Sequence, residues 1–165
     1  MQTFILDSTY LCQFKLTPKF ASCLREVFPE LGDQLIDVED DHEWLRVAEG
    51  STGMSTQWWG LFNLTYGGDA CEQLTVDELG LPIAFCAIAN GQFIYSFGVT
   101  TLYRNQGYGS HFLKMLIANL GWNDLFLFVK KSNRIAMRLY RNSGFEYSDS
   151  SFVPPVGEIC MKRHA

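Results

Sequence analysis

Two apolar runs in the middle of the chain, 83–89 and 92–99, are separated only by Asn90-Gly91. Both runs are rich in β-branched and aromatic residues, which favour strands. The Asn-Gly pair favours a two-residue type I′ turn, because both turn positions need a positive φ. The pattern therefore predicts an antiparallel β-hairpin.

Helical periodicity begins after this hairpin, at Gly107, and Gly121 ends it. The residues at the spacing of one helix face are Phe112, Leu113, Leu116, Ile117 and Leu120. The continuous apolar run 125–129 predicts a strand that is buried on both faces. A second helix is predicted to follow, with Ser132 as its N-cap and Gly144 as its C-cap. Its inward residues are predicted to be Ile135, Ala136, Leu139 and Tyr140.

The two ends of the chain complete the predicted elements. Strands are predicted at 145–147 and 158–162, and the alternation of strand and helix after a hairpin indicates a mixed α/β sheet. The N-terminal half predicts a strand over 3–7, a helix from Thr17-Pro18 to Pro29, a helix over 40–49 and a strand over 72–76. No element is assigned over 51–70, where the apolar stretch Trp58-Trp59-Gly60-Leu61-Phe62 has no clean period. Without repeats or a linker, 1–165 is predicted to be one domain.

Composition limits the class of protein. Hydrophobic residues make up 47% of the 165, which is enough for a core, and the net charge of −5 disfavours nucleic acid as a partner. No apolar stretch approaches the ~20 residues of a membrane span, and the N-terminus does not resemble a signal peptide. The five cysteines are odd in number without a CxxC pair, and the three histidines are scattered. We therefore expect reduced thiols, no bound metal, no membrane association and a cytoplasmic location.

A glycine-rich segment, Arg104-Asn105-Gln106-Gly107-Tyr108-Gly109, leads from the hairpin into the first predicted helix. A helix N-terminus has unpaired N–H groups and a partial positive charge, and glycines let a phosphate approach the backbone. The segment is therefore a candidate pyrophosphate site, although glycines that merely turn the chain would give the same pattern. A Rossmann dinucleotide site is disfavoured, because Phe112 occupies the place of the third glycine.

A second motif gives the pattern a family resemblance. The arrangement N-x-x-A-x-x-L-Y-x-x-x-G-F is met by Asn133, Ala136, Leu139, Tyr140, Gly144 and Phe145. Together with R-x-x-G-x-G after Val99, it resembles the acetyl-CoA site of the GCN5-related N-acetyltransferase (GNAT) superfamily over residues 82–147. This resemblance implies the GNAT fold: a mixed, mostly antiparallel twisted sheet of six to seven strands with about four helices and splayed central parallel strands.

The resemblance also implies a cofactor and roles for residues. Strands 92–99 and 125–130 would splay next to a bulge, predicted at Gly98, and take in the pantetheine arm of acetyl-CoA. The Val99 N–H would stabilise the oxyanion, Asn133 would bind the pantetheine amide, and Tyr140 would protonate the thiolate as general acid. Further cofactor contacts are expected from Gly98, Arg104, Asn105, Gln106, Gly107, Tyr108, Gly109 and Ser110.

The acceptor side departs from the family pattern. Phe93 and Phe128 stand where branches of the family carry a glutamate base, so loss of the amine proton is predicted to run through water, with Tyr95 or Ser96 leading a chain. Asp41 or Glu43 could reach in from the second predicted helix. The acidic segment 37–43 would attract a cationic acceptor, although it could equally complement a helix dipole.

These points predict an acetyl-CoA-dependent N-acetyltransferase that acts on a primary amine of a cationic small molecule, such as a polyamine or amino sugar, or of a peptide. The alternative from another class is a non-catalytic acyl-CoA-binding regulatory module of the same fold. A toxin-type enzyme acting on charged tRNA is disfavoured by the pI of about 5.1. A homodimer is a further expectation, with the apolar C-terminal strand as its interface.

Overall fold

The structure is a computed structural model that describes residues 9–14, 26, 56–63, 80–120, 123–149 and 152–165. The strands are β1 (Thr9–Phe14), β2 (Thr56–Asn63), β3 (Ala84–Ala89), β4 (Phe93–Val99), β5 (Leu125–Lys130), β6 (Glu146–Tyr147) and β7 (Glu158–Arg163). The α-helices of this part of the chain are α1 (Tyr108–Leu120) and α2 (Arg134–Asn142), and a 3₁₀ turn spans Thr101–Tyr103. The elements predicted at 3–7, 17–29, 40–49 and 72–76 lie outside the described residues, except Glu26, which is helical.

The described strands form one seven-stranded sheet in the order β1-β2-β3-β4-β5-β7-β6. Its one parallel pair is β4 with β5, and every other described pair is antiparallel. The mixed, mostly antiparallel sheet predicted from the sequence is confirmed. The structure adds β1 and β2, which the sequence did not predict. In β2, Trp58, Leu61 and Phe62 are all buried, so its two faces give no polar alternation to recognise.

The predicted hairpin is confirmed in its turn and corrected at one boundary. Asn90 and Gly91 both have positive φ, at 52° and 70°, and the Gln92 N–H donates to the Ala89 carbonyl at 3.1 Å. These are the marks of a type I′ turn. The pairing register joins Ala89 to Phe93, so Gln92 belongs to the turn and β4 begins one residue later than predicted.

The bulge lies at a different residue from the one predicted. Ala87 pairs with Ser96 but Ile88 pairs with Ile94, which leaves Tyr95 as the extra residue of β4. Gly98 pairs regularly with Phe85, so the prediction of a bulge at Gly98 was wrong. A bulge does not need glycine unless its first residue is left-handed, and here the pairing register decides its position.

The core lies between α1, α2 and one face of the sheet. On β5, Leu125, Leu127 and Val129 are buried in this core, whereas Phe126 and Phe128 are half-buried. The expectation that β5 is buried on both faces was therefore wrong. Phe126 and Phe128 contact other rings on the opposite face, and these rings cover them only in part.

Helix α2 begins and ends with identifiable caps. Asn133, not Ser132 as predicted, is the N-cap, and its Oδ1 accepts from the Ala136 N–H at 3.1 Å. At the other end Phe145 N–H donates to Tyr140 O and Gly144 N–H to Arg141 O, both at 3.0 Å, with Gly144 at φ 88°. This is a Schellman motif, and it agrees with the predicted end of the helix.

One further expectation changes with the fold. Ile135, predicted to face inward, is 81% exposed because the first turn of α2 is not covered by another described element. Strand β7 lies between β5 and β6 in the sheet. The homodimer suggested from this strand stays a prediction. Within the described ranges, the structure has no helix that is long and apolar enough to cross a membrane.

Candidate functional site

A crevice opens between the two parallel strands in the centre of the sheet. Strands β4 and β5 pair at only two positions, Phe93 with Phe126 and Ile94 with Leu127. Beyond these pairs the two described strands have no further ladder contacts, although β4 runs on to Val99 and β5 to Lys130. The backbone edges that face each other across this gap are open to an extended ligand.

The bulge decides which backbone amides line the crevice. Thr100 N–H donates to Ile83 O at 2.8 Å, so the backbone of Thr100 faces β3. Because backbone groups alternate in direction along a strand, those of Phe97 and Val99 face the crevice. At the paired end, Gln92 O accepts from Phe126 N–H at 2.8 Å. The backbone N–H and C=O groups of the even-numbered residues therefore face β5 at that end. The extra residue Tyr95 switches this alternation and turns the Val99 N–H toward the open gap.

The loop after β4 presents a helix N-terminus beside the mouth of the crevice. Asn105 and Gly107 have left-handed backbones, with φ 60° and 86°, and Gly107 O accepts from His111 N–H at 3.0 Å to begin α1. The N–H groups of Tyr108, Gly109 and Ser110 consequently have no acceptor within the helix. With the helix dipole, they make an anion-binding site of the kind that holds phosphates.

Side-chain hydrogen bonds hold this loop to the sheet. Thr100 is buried and its Oγ1 donates to Pro82 O at 2.7 Å, while Gln106 Nε2 donates to Leu102 O at 2.8 Å. Arg104 Nε donates to Val99 O at 2.8 Å. Arg104, predicted as a phosphate contact, thus also ties the loop to the residue whose amide faces the crevice.

Two residues of the glycine-rich segment have structural roles that the motif did not reveal. The Tyr108 side chain is buried, edge-to-face with Tyr103 at 5.4 Å between ring centroids, so only its backbone is available to a ligand. A Cβ on Gly109 would lie 3.4 Å from Val99 Cγ2 and 3.6 Å from Leu139 Cδ2. Gly109 thus lets α1 pack closely against both β4 and α2.

Tyr140 lies on the α1–α2 side of the crevice. Its ring packs edge-to-face against Phe97 of β4 at 6.0 Å and against Phe145 at 5.8 Å, and the side chain is 7% exposed. Burial raises the pKa of the phenol well above its usual range, and the nearby Cys86 thiol raises this pKa further. The hydroxyl is protonated at neutral pH, as that of an ordinary tyrosine also is, and burial makes it a weaker acid than an exposed phenol.

Asn133 is the N-cap of α2, just after the end of β5 at Lys130. Its Oδ1 is engaged in the cap of α2, and its side-chain NH₂ group is the part that can donate to a ligand carbonyl. The side chain is exposed, as a contact with a bound molecule requires. The predicted contact with an amide remains compatible with this geometry.

The predicted acceptor residues are placed only in part. Phe93 and Phe128 lie in ring contact at 4.9 Å, so the two positions expected to be apolar form one aromatic surface. Neither β4 nor β5 contains an acidic residue. Asp41, Glu43 and the Tyr95 side chain lie outside the described residues. No group of three His, Cys, Asp or Glu side chains in the described part of the chain is placed to hold a metal ion.

Replacement of Gly107 by Ala tests the loop. The Cβ would meet nothing within 4 Å, so the variant carries only the strain of a left-handed alanine, about 1–2 kcal/mol. We expect a small loss of stability and up to about tenfold weaker CoA binding by isothermal titration calorimetry. Gly157→Ala is the matched control, since Gly157 has φ 85° and the same open surroundings in the turn before β7. It should lose stability equally and keep its CoA affinity; equal affinities in both variants would contradict the assignment.

Cys86 makes the stability of the fold depend on alkaline pH. Burial raises the pKa of this thiol strongly, whereas in the unfolded chain it ionises near pH 8.5. Its contribution to stability is therefore present below that pH and is lost as pH rises, because only the unfolded state releases the proton. Between pH 7 and 10, the free energy of unfolding of Cys86→Ala should fall by about 2 kcal/mol less than that of the native chain. Urea unfolding at the two pH values measures this difference. Identical losses would show that Cys86 ionises while folded.

The fold of this chain is similar to the folds of solved acetyltransferase structures. The PaiA N-acetyltransferase of Thermoplasma acidophilum, in complex with coenzyme A, superposes with a TM-score of 0.57 at 14% identity, covering 94% of this chain and 99% of that one. Arabidopsis thaliana NAA60 in complex with a bisubstrate analogue superposes with a TM-score of 0.56 at 13% identity, covering 93% of this chain and 98% of that one. The Escherichia coli ribosomal-protein-S18-alanine N-acetyltransferase has a TM-score of 0.56 at 20% identity, with 93% of each chain covered. At these identities the likeness concerns the fold.

A search of curated proteins finds no significant match. The model of the Acetyltransferase (GNAT) family, in contrast, matches residues 27–145, which is well over half of the chain. The matched region contains the open crevice, the loop before α1 and the motif of α2. The chain belongs to the acetyltransferase (GNAT) family.

Proposed function

We propose that this protein is a cytoplasmic N-acetyltransferase that moves the acetyl group of acetyl-CoA directly onto a primary amine. The observation that carries the proposal is the meeting of three groups around one crevice. They are the Val99 amide that faces the gap, the N–H groups that begin α1, and the phenol of Tyr140, which packs beside Phe97 of β4. These are a donor for an oxyanion, a site for a diphosphate and a donor for a leaving thiolate.

Each group has a chemical task in this reaction. The Val99 N–H donates to the thioester oxygen, whose negative charge grows as the amine nitrogen bonds to the carbonyl carbon. The attacking nitrogen loses its extra proton to water, because β4 and β5 offer no carboxylate. The C–S bond then breaks, and Tyr140 supplies a proton to the departing sulfur and regains one from water.

A cleft next to the proposed diphosphate site supports binding of the nucleotide half of CoA. A cleft of about 340 Å³ lies between α1 and α2, lined by Ser110, Lys114, Ile117, Asn142, Ser143 and Arg163. Ser110 belongs to the start of α1, so the cleft adjoins the proposed diphosphate site. Lys114 and Arg163 give it two cations, which suits the phosphorylated nucleotide end of CoA.

The acceptor proposed from the sequence is a cationic small molecule or a peptide, on the strength of the acidic segment 37–43. Two structures similar to this chain are Arabidopsis thaliana NAA60 in complex with a bisubstrate analogue and the NatC complex bound to Gag peptide and CoA, which supports an acceptor of this general kind. A homodimer is also proposed, without an assigned interface.

A non-catalytic acyl-CoA-binding module is the second candidate. The observation that favours it is the contact of Phe93 with Phe128, since these rings occupy the positions expected for a base. A module of this kind would retain the crevice and the loop but have no route for the amine proton.

One experiment separates the two candidates. CoA binding is measured by calorimetry, and thiol release from acetyl-CoA is followed with a panel of primary amines and peptides. Binding together with amine-dependent thiol release supports the enzyme. Binding without release on any acceptor would support the module, and absence of CoA binding would exclude both.

A further inference from the structure

Four phenylalanines form a cluster on the face of the sheet opposite α1 and α2. Phe93 contacts Phe128 at 4.9 Å and Phe152 at 5.7 Å, and Phe152 contacts Phe126 at 5.0 Å between ring centroids. Phe152 comes from the loop between β6 and β7 and is 37% exposed, while the other three are half-buried. We call these four residues the aromatic cluster.

The aromatic cluster lies at the closed end of the crevice. Phe93 and Phe126 are register partners at the last paired part of the two strands, and Phe128 is the first β5 residue of its face beyond that pairing. Their neighbours Ile94 and Leu127 are buried in the core on the other face. The cluster therefore borders the place where a thioester lying in the crevice would end.

The opposite side of the crevice is closed to an acceptor. There Phe97 stacks on Phe112 of α1 at 5.5 Å and meets the edge of Tyr140, and Phe112 and Tyr140 are both buried. Side chains packed in this way leave no path through the core. Among the described residues, the side of the crevice that remains for a second substrate is the one that carries the aromatic cluster.

Charge around the aromatic cluster argues against a second cation. Among the described residues, Lys162 is a cation beside the cluster: its Nζ lies 5.2 Å from the centre of the Phe126 ring and 2.8 Å from Asp124 Oδ2. Asp124 is thus already paired with a cation, and β4 and β5 contribute no carboxylate. A second ammonium group placed on these rings would lose hydration, and the two strands beneath the rings offer it no carboxylate.

We propose that the acceptor is a primary amine with an aromatic or bulky apolar group close to the amino nitrogen, and that this group packs on the aromatic cluster. The proposal rests on the proposed acetyl transfer and narrows its acceptor class. A ring gains apolar burial and edge-to-face contacts on such a surface, whereas a polyamine gains neither. The same chemistry is found in a free arylalkylamine and in a peptide that begins with an aromatic residue.

Two measurements test the proposal on the complete chain. The first is calorimetric binding of phenethylamine, cyclohexylethylamine and putrescine to the CoA-loaded protein. The second is kcat/KM for the same amines and for peptides that begin with Phe or Lys. We expect tighter binding and at least about tenfold higher kcat/KM for the ring-bearing amines than for putrescine. Comparing kcat/KM for the peptide that begins with Phe and for phenethylamine then decides whether the acceptor is a peptide or a free arylalkylamine.

Variants of Phe152 test whether the aromatic cluster causes the preference for ring-bearing amines. Phe152→Ala should weaken phenethylamine binding and lower its kcat/KM about tenfold, leave KM for acetyl-CoA unchanged, and affect putrescine little. Phe152→Leu should restore a large part of the loss by refilling the surface. Tyr147→Ala is the matched control, because Tyr147 is an exposed aromatic on β6 outside the aromatic cluster. Tyr147→Ala should bind phenethylamine and acetylate it with the same affinity and kcat/KM as the native chain.

The outcomes separate this inference from the acetyl transfer on which it rests. Phenethylamine binding that depends on Phe152, without turnover, would keep the aromatic acceptor site and reject the reaction. Equal kcat/KM for putrescine and phenethylamine, unchanged in Phe152→Ala, would overturn the inference and keep the enzyme. If no amine binds the CoA-loaded chain and none is acetylated, both are rejected.

Discussion

Replacement of Tyr140 by Phe is expected to lower kcat about 100-fold, because a positioned general acid contributes at least this much to thiolate departure. Within the part of the chain that the structure describes, the Tyr140 hydroxyl has no hydrogen-bond partner to leave unsatisfied. The variant should therefore fold normally and bind CoA with native affinity. Single-turnover kinetics and calorimetry measure the two quantities separately.

The pH profile distinguishes this role from a purely structural one. Because burial raises the pKa of Tyr140, the phenol keeps its proton through the range in which an alkylamine, with a pKa of about 10.4, becomes neutral. We expect kcat/KM of the native enzyme to rise from pH 7 to about 10 without an alkaline decline. Tyr140→Phe should show the same rise to a lower plateau. A native kcat/KM that declines as the pH rises above about 9 would contradict an acid of raised pKa.

Replacement of Val99 by Pro is expected to lower kcat about 100-fold or more, because it removes the N–H that faces the crevice. This N–H is not part of the β3–β4 ladder, in which Thr100 N–H donates to Ile83 O instead. Proline is tolerated where a strand's N–H faces outward, so the sheet should persist. The measurement is kcat by steady-state thiol release, together with the unfolding temperature.

The matched control for this position is Val99→Ala. It keeps the N–H but loses the packing of the valine side chain on Gly109, so its kcat should stay within a few-fold of native. If Val99→Ala and Val99→Pro were equally slow, the side chain and not the amide would be responsible. A Val99→Pro variant with native kcat would remove the oxyanion donor from the mechanism.

Much of the site could be predicted because its signals are local. The Asn90-Gly91 turn follows from the backbone freedom of those two residues, and the observed positive φ values agree. The start of α1 follows in the same way from Gly107, whose left-handed backbone another residue adopts only under strain. These features depend on neighbours within a few positions, so the sequence alone contains them.

The missed features depend on contacts between distant segments. Strand β2 is buried on both faces by elements far away in the chain, so its composition shows no alternation. The N-cap of α2 was assigned one residue early, since Ser132 and Asn133 are equally good caps by composition and only the chain path selects between them. The aromatic cluster joins three segments through Phe152, for which no local pattern exists.

By itself, the sequence determined the hairpin, the helix that begins at the glycine-rich loop, and the family of the chain, since local backbone preferences and short motifs suffice for these. Only the tertiary structure decided that Tyr95 is the bulge, that the Val99 amide therefore faces the crevice, and that Phe93 and Phe128 meet as one surface. Strand register sets all three of these features. Register is chosen by the burial of whole strands against partners distant in the chain, which single positions do not encode.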